Sequence, residues 1–337
     1  MPDTEFPSPQ PERRDWPWSV QSPASGTKSN LPRITIVTPS FNQGAFLEET
    51  IRSVLLQGYD NLEYLIVDGG STDNSLEIIR RYEPWISWWT SERDDGQADA
   101  INKGFSRATG AILGWLNSDD VLYPGFLEAR GREFEAAPDI DMIYGDVETG
   151  VGDASPRAVM KGRQIDFETM VRTLKVPIPQ QSALWRRGVL DRVGDLDSRW
   201  QVVLDRDFFL RVARYCSLAY RPGVVGLFRL HPESKSEAGQ LAWVEELPQL
   251  YHELFADPDL PPDIAQYKNQ SMVAMERLCA QLLWRHHHFE EWSECIFRAA
   301  RRSPRHFGRL FLLDTALSKV RGTGRRIKRV TQRGAPL

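Results

Sequence analysis

The chain has 337 residues, of which 41% are hydrophobic and 26% charged, with a net charge of −4 at pH 7, a composition that excludes disordered, collagen-like and disulfide-scaffold classes. The mild negative charge gives no reason to expect nucleic acid as a partner. The three cysteines, Cys216, Cys279 and Cys295, are scattered and lack metal-ligand spacing, and no apolar run approaches the roughly 18 residues of a membrane span.

Residues 1–31 carry Pro2, Pro7, Pro9, Pro11, Pro17 and Pro23 among Ser, Glu and Arg. This composition predicts a disordered leader. Trp16 and Trp18 are the exception, and either dock on the folded body or stay exposed. The polar start has no apolar signal region, and with reduced thiols the expected setting is cytoplasmic.

From Pro32 the pattern becomes regular. Arg33 to Thr38 is a β-branched run and predicts a strand that breaks at Pro39-Ser40-Phe41-Asn42. Phe46, Leu47, Ile51, Val54 and Leu55 form a helical stripe. Leu62 to Val67 predicts a second strand, ending at Asp68-Gly69-Gly70-Ser71-Thr72-Asp73, and Ser75 to Tyr82 a second helix. Ile86 to Thr90 predicts a third strand and Gln97 to Ala108 a third helix. Strand and helix in alternation imply a parallel, right-handed βαβ build. The next apolar run, Ala111 to Leu116, ends abruptly in Asn117-Ser118-Asp119-Asp120. A strand that delivers carboxylates to its C-terminal end puts them where open α/β sheets bind ligands. Hard oxygen donors there suit Mg²⁺ or Mn²⁺ shared with substrate phosphates, whereas the same residues are also ordinary turn formers.

Further on, Phe126 to Ala136 predicts a helix, Met142 to Tyr144 a strand and Asp146 to Val159 an irregular hairpin. Ser182 to Trp185 predicts a strand, Arg187 to Val193 and Asp205 to Tyr215 helices, and Leu218 to Phe228 a last strand region. Beyond Gln240 the pattern is helical over 241–255, 263–286, 289–300 and 305–320. The expected division is a leader (1–31), an α/β catalytic domain (32–240) and a helical extension with a basic tail (241–337).

Six segments in this order resemble the inverting GT-A glycosyltransferases of family 2. They are Thr38 to Asn42, Asp68 to Asp73, Asp95 to Gly104, Trp115 to Asp120, Asp205 to Arg211 and Arg229 to Ser236, so the resemblance spans about residues 33–236. It implies the GT-A fold: a Rossmann-like, mostly parallel sheet with flanking helices. It implies that Thr38, Pro39, Ser40 and Asn42 cradle the donor nucleotide and that Asp68 meets the nucleoside. Asp95, Gln97 and Asn102 would complete that pocket, with Asn117 and Ser118 in the slot of the family's Asp-x-Asp signature. The first acid of that signature is Asn117 here, so the expected metal ligand is Asp119, with Asp120 behind it or as alternative ligand. His231, in a loop with Arg229 and Lys235, is a candidate third ligand. Relatives often carry a second Asp where this chain has Gly69, which leaves the base open. The general base is carried to Asp205, with Asp207 as rival, although the Glu that usually precedes it is Leu204. Gln180, Gln181 and Trp185 are candidates for the acceptor side, and His286-His287-His288 reads as surface.

The activity implied is metal-dependent, inverting transfer of a sugar from a nucleoside diphosphate sugar, UDP-linked by expectation, to a hydroxyl of a glycan or lipid-linked acceptor. The rivals are a nucleotidyltransferase, for which Thr38 to Gly44 lacks basic residues, and a non-catalytic sugar-nucleotide-binding or scaffold protein, motivated by Asn117 and Leu204. No G-x-G-x-x-G follows a strand, against an NAD-dependent oxidoreductase. From Phe297 onward twelve Lys/Arg face one acid, Asp314. Residues 305–333 therefore read as a helix on an anionic membrane surface, or as a solvated tail or oligomer contact.

Overall fold

The β-branched run after Pro32 forms β1 (Ile34–Ser40) and opens a regular alternation: α1 (Leu47–Leu55), β2 (Leu62–Asp68), α2 (Ser75–Tyr82), β3 (Trp88–Ser91), α3 (Gln97–Arg107) and β4 (Ile112–Trp115). The structure is a computed structural model and describes residues 5–10, 12–21, 30–150, 157–235 and 239–304. By contacts the chain divides into two units, Met1–Met170 with Lys175–Gly239, and Val171–Leu174 with Gln240–Leu337. The predicted segment 305–320 and the basic tail 305–333 lie outside the described residues.

Then follow β5 (Val121–Leu122), α4 (Phe126–Ala136), β6 (Met142–Gly150), β7 (Ala158–Met160), α5 (Phe167–Thr173, of which residues 167–170 belong to the first unit), β8 (Leu184–Arg186), α6 (Gly188–Val193), α7 (Leu204–Tyr215) and β9 (Leu218–Arg229). The sheet order is β3-β2-β1-β4-β8-β6-β9-β5, with β7 on β6. β3, β2, β1 and β4 pair in parallel. β8 then runs antiparallel to both β4 and β6. β1 is buried at every position and β2 at every position after Leu62, as expected for strands covered on both faces.

β6 continues well past the predicted Tyr144 and pairs with β7. Its register with β9 shifts on either side of Asp146. The Asp146 carboxylate accepts Gly162 N–H (2.9 Å), the Tyr220 hydroxyl (2.8 Å) and Gly223 N–H (3.2 Å), so the irregular ladder is satisfied by a side chain. α7 is fixed beneath β4 by an aromatic cluster. Trp115 stacks on Phe209 (6.2 Å between centroids, 17°) and meets Trp185 edge-on (5.4 Å), while Trp185 also contacts Phe208 (5.0 Å). Trp185 is fully buried, so it is core and not an acceptor platform.

The leader departs most from its composition. Phe6 and Trp18 are buried, and the described part of residues 5–21 packs on the outer face of α1. That face carries Glu48, Glu49 and Arg52, polar residues that are nevertheless buried. The Arg52 guanidinium lies between the rings of Phe6 (5.2 Å) and Trp18 (5.1 Å). It donates to Pro7 O and Val20 O, each at 2.7 Å, and to the Tyr82 hydroxyl at 3.2 Å. A buried charge needs such partners, and here the leader supplies them. This corrects the expectation of disorder for residues 5–10 and 12–21: aromatic anchors and one buried cation offset the ordering entropy that proline-rich composition alone leaves unmet. Arg52→Ala should destabilise the first unit by about 3 kcal/mol, since it strands two carbonyls and removes two cation–π contacts. Arg81→Ala, which breaks the half-exposed pair with Glu48, should cost under about 1 kcal/mol. Paired denaturant titrations measure both.

The second unit holds helices Ala242–Leu254, Pro262–Ala265, Lys268–Arg285 and Phe289–Arg302. Its core includes Leu247, Tyr251, Met272, Met275 and Cys279. Among the described residues no helix is long and apolar enough to cross a membrane.

Candidate functional site

Because β1, β2 and β4 are parallel, the loops after Ser40, Asp68 and Trp115 leave the sheet at one edge, where α/β sheets take ligands. The first two loops are laced together. Asn42 adopts φ +53°, a left-handed conformation that Asn tolerates. Its N–H donates to Ser71 Oγ (2.8 Å), and its Oδ1 accepts Thr72 N–H (2.8 Å). Asp73 accepts Gly44 N–H (2.8 Å) and Ser75 N–H (3.0 Å). Burial works against the ionised form of Asp73, but hydrogen bonds from Ser75 and Gly44 outweigh it and hold the carboxyl below its usual range.

Of the predicted donor-side residues, Thr38 and Pro39 are buried in β1, and Thr38 Oγ1 accepts the Tyr64 hydroxyl (3.1 Å). Ser40 is buried, and among the described residues its hydroxyl has no hydrogen-bond partner. Asn42 is exposed, with its amide oxygen spent on the neighbouring loop. Asp68 is fully buried and accepts four donors: Gly70 N–H (3.1 Å), Ser71 N–H (2.9 Å), Ser71 Oγ (2.5 Å) and Ser91 Oγ (2.7 Å).

Two donor-side expectations are corrected. Asp95 is exposed, and its neighbour Asp94 is the acid that turns inward. Asp94 Oδ1 accepts Gly96 N–H (3.0 Å), in a turn that needs glycine because Gly96 has φ +114°. A Cβ built on Gly69 would stand 2.8 Å from Asp94 Oδ2. The space where relatives carry a second acid is thus filled by a carboxylate from the next loop. Burial, with Asp99 and Asp68 nearby, pushes Asp94 above its usual range. Asn102 is the second correction. Its amide donates to Leu196 O (2.7 Å) and accepts Leu196 N–H (3.0 Å), so its contacts within the protein clamp the segment before α7.

The Asn117–Asp120 turn is held from below. Asn117 Oδ1 accepts Gln97 Nε2 (2.7 Å), which joins the predicted Gln97 to this turn, and Asn117 Nδ2 donates to Asp120 Oδ2 (3.2 Å). Ser118 is buried, and Thr50 Oγ1 donates to Ser118 O (2.9 Å). Asp120 is fully buried. Its carboxylate accepts Gln181 Nε2 (2.9 Å) and Arg229 N–H (3.0 Å) as well as Asn117. Burial, then Asp119, pushes it well above the usual carboxylate range. Asp120 is therefore a brace for the turn, the place behind Asp119 that was one of the two expected for it. Gln180 and Gln181 are also buried here, Gln180 donating to Trp115 O (2.7 Å), so they support the turn and do not face an acceptor.

Asp119 points the other way. Its Oδ2 lies 3.0 Å from His231 Nε2, and the imidazole packs on Phe46 (4.5 Å between centroids). Residues 112 positions apart in sequence thus converge. Among the described residues no three His, Cys, Asp or Glu side chains are arranged to hold a metal ion by themselves. Asp119 and His231 offer one carboxylate and one imidazole, a pair that a divalent ion such as Mn²⁺ could take with water and phosphate oxygens completing its coordination. The amide oxygen of Asn117 is committed to Gln97. His286 and His288 engage Gln240 and Glu291 separately and share nothing with one another.

On α7 the two acids differ. Asp207 is buried and accepts Arg211 Nε (3.0 Å) and a terminal Arg211 nitrogen (2.6 Å), while Arg211 also donates to Asp195 O (3.0 Å). Asp207 is held in an ion pair, and burial raises its carboxyl above the usual range despite Arg211. Asp205 accepts Arg206 N–H (2.7 Å). Burial raises its carboxyl above the usual range despite Arg206. A carboxylate so perturbed is suited to accept a proton.

Residues 35–194 match the family model described as Glycosyl transferase family 2. The PGL/p-HBAD biosynthesis glycosyltransferase of Mycobacterium bovis (strain BCG / Pasteur 1173P2) is 31% identical over 191 residues, covering 53% of this chain and 69% of the relative. An uncharacterized glycosyltransferase of Nostoc sp. is 28% identical over 183 residues, covering 51% of this chain and 57% of the relative. Among solved structures, the mannosyltransferase PcManGT from Pyrobaculum calidifontis in complex with GDP-Man and Mn²⁺ superposes with TM-score 0.57 at 19% identity, over 86% of this chain and 81% of that one. S. aureus TarS 1–349 in complex with UDP-GlcNAc gives TM-score 0.57 at 15% identity, over 82% of each chain.

Proposed function

The chain belongs to glycosyl transferase family 2 and has the GT-A fold, and on that premise we propose an inverting transfer of a sugar from a nucleoside diphosphate sugar to a hydroxyl of a glycan or lipid-linked acceptor. The observation that carries the reading is the Asp119–His231 pair at the mouth of β4, beside loops that present an unpartnered Ser40 hydroxyl and the inward Asp94. Asp119 and His231 would hold Mg²⁺ or Mn²⁺ jointly with the donor diphosphate. Such an ion, when bound, neutralises charge on the departing diphosphate. Asp205 takes the proton of the acceptor hydroxyl, which attacks the anomeric carbon from the face opposite the diphosphate, so the configuration inverts. Ser40 and Asp94 offer an acceptor or donor to the nucleoside, in the place given to Asp95 by sequence. The first donor to try is UDP-linked. Peripheral membrane contact through residues 305–333 is a proposal that rests on their charge alone.

A thermal-shift screen of UDP- and GDP-sugars, with and without Mn²⁺, tests this reading. One donor class should stabilise the protein by about 2.7 kcal/mol at a hundredfold excess over its Kd, and only when Mn²⁺ is present. Asp94→Asn should weaken that donor about tenfold, or ~1.4 kcal/mol, while Asp95→Asn leaves it unchanged. A protein that responds to no nucleoside diphosphate sugar under either condition contradicts the proposal.

A further inference from the structure

The packed leader meets the catalytic loops at two points. Arg13 pairs with Glu49 Oε2 (2.8 Å), and Arg229 pairs with the other oxygen of the same carboxylate, Glu49 Oε1 (3.0 Å). Glu49 and Arg229 are both buried. Arg229 donates its N–H to Asp120, and its guanidinium lies over Phe46 (5.0 Å), the ring that packs against His231. The second point is Trp16, whose Nε1 donates to Leu122 O (2.7 Å). Leu122 lies in β5, two residues beyond Asp120, and β5 pairs with β9 just before Arg229 (Val121 opposite Leu227). One short stretch of chain therefore grips both partners of the Asp119–His231 pair. It holds the strand leaving Asp119 through Trp16, and the loop carrying His231 through Arg13 and Glu49.

We propose that Arg13 and Trp16 are positioning residues, and that the leader segment 5–21 fixes the Asp119–His231 pair by bracing β5 and the loop after β9. The physical basis is the buried Glu49 carboxylate. With Arg13 on Oε2, its rotamer is set and Oε1 faces Arg229. Without Arg13, a half-shared buried carboxylate can turn towards solvent, and Arg229 loses the partner that holds it against Phe46. Among the described residues the loop from Leu230 to Lys235 is also tied by Leu230 N–H to Gly150 O (2.9 Å), Ser234 N–H to His231 O (3.0 Å), Gly239 N–H to Lys235 O (2.8 Å) and Lys235 Nζ to Gln201 O (3.5 Å), and none of these holds the His231 ring itself. Outer partners of this kind typically govern 10–100-fold in metal affinity or activity. Only the metal arm of the test rests on the function proposed above.

The full chain is compared with Arg13→Ala, Arg13→Lys and Trp16→Phe by hydrogen exchange and by Mn²⁺ binding, using Mn²⁺ alone and electron paramagnetic resonance. In Arg13→Ala the Leu230 and Ser234 amides should exchange about tenfold faster, while amides of β1 and β2 keep their wild-type rates. Arg13→Lys should restore the loop, since Lys keeps the charge on Glu49. Trp16→Phe, which keeps the ring and loses the N–H, should reproduce part of the acceleration. Mn²⁺ binding should weaken about tenfold in step with loop exchange. Unchanged loop exchange in Arg13→Ala overturns the proposal, and so does an equal acceleration in β1 and β2, which would mark a general loss of stability. If the wild-type chain binds no Mn²⁺, the metal reading falls, while the exchange arm still decides the role of the leader.

Discussion

Asp119→Asn should lower kcat/KM for transfer about a thousandfold, which corresponds to ~4 kcal/mol of lost transition-state stabilisation. The amide keeps the shape of the side chain but removes the one charged donor aimed out of the Asn117–Asp120 turn. Little stability should be lost. Asp119 lies largely covered against His231, and the amide can keep a hydrogen bond to the imidazole, so the loss should stay near the ~1 kcal/mol of a single hydrogen bond. Donor transfer measured beside a thermal melt separates the two effects. Near-normal turnover by this variant would remove the metal from the mechanism. Asp120→Ala is the informative contrast, because it strands the donors of Asn117, Gln181 and Arg229, and it should fail in folding before it fails in chemistry.

Asp205→Asn should reduce kcat by about 10²–10⁴ with donor affinity unchanged, the range for loss of a general base. Its pH behaviour is a second signature. Burial favours the neutral acid, so the folded pKa of Asp205 lies above the ordinary value of about 3.9. A protonated carboxyl cannot take the acceptor proton, so kcat should fall as pH drops through that raised value. The acid limb of the wild-type profile is thus displaced towards neutrality, and it should vanish in the variant. Asp207→Asn should instead lose stability through Arg211 and keep the limb. If Asp205→Asn retains the wild-type kcat, the base lies elsewhere.

The parallel half of the sheet was legible because β1 and β2 are continuous β-branched and apolar runs, and helices such as α1 and α3 follow them with clean periodicity. β5 and α5 were not foreseen, and β7 only as one arm of an irregular hairpin. They are short: β5 is defined by its distant partner β9, and α5 starts at a local cap, Asp166 Oδ1 accepting Thr169 N–H at 2.8 Å. Among the candidates, Asp119 and His231 could be named from motif positions and do lie together, but sequence could not separate Asp119 from Asp120, or Asp205 from Asp207. Adjacent or near-adjacent acids look alike in sequence, and only Gln181, Arg229 and Arg211 reveal which are occupied. Asp94 was passed over for Asp95 for the same reason, since the direction of a loop side chain depends on the Gly96 turn. The leader was misjudged because composition carries no record of the buried Arg52 that organises it.

The reversal of direction at β8 ties two distant stretches of chain to one turn. Since β8 runs against β4, the polypeptide entering β8 through Gln180 and Gln181 arrives at the end from which Asn117 departs. Gln180 then holds Trp115 O and Gln181 holds the Asp120 carboxylate, so a substitution at either glutamine reaches the Asp119 turn through its supports, without touching a ligand.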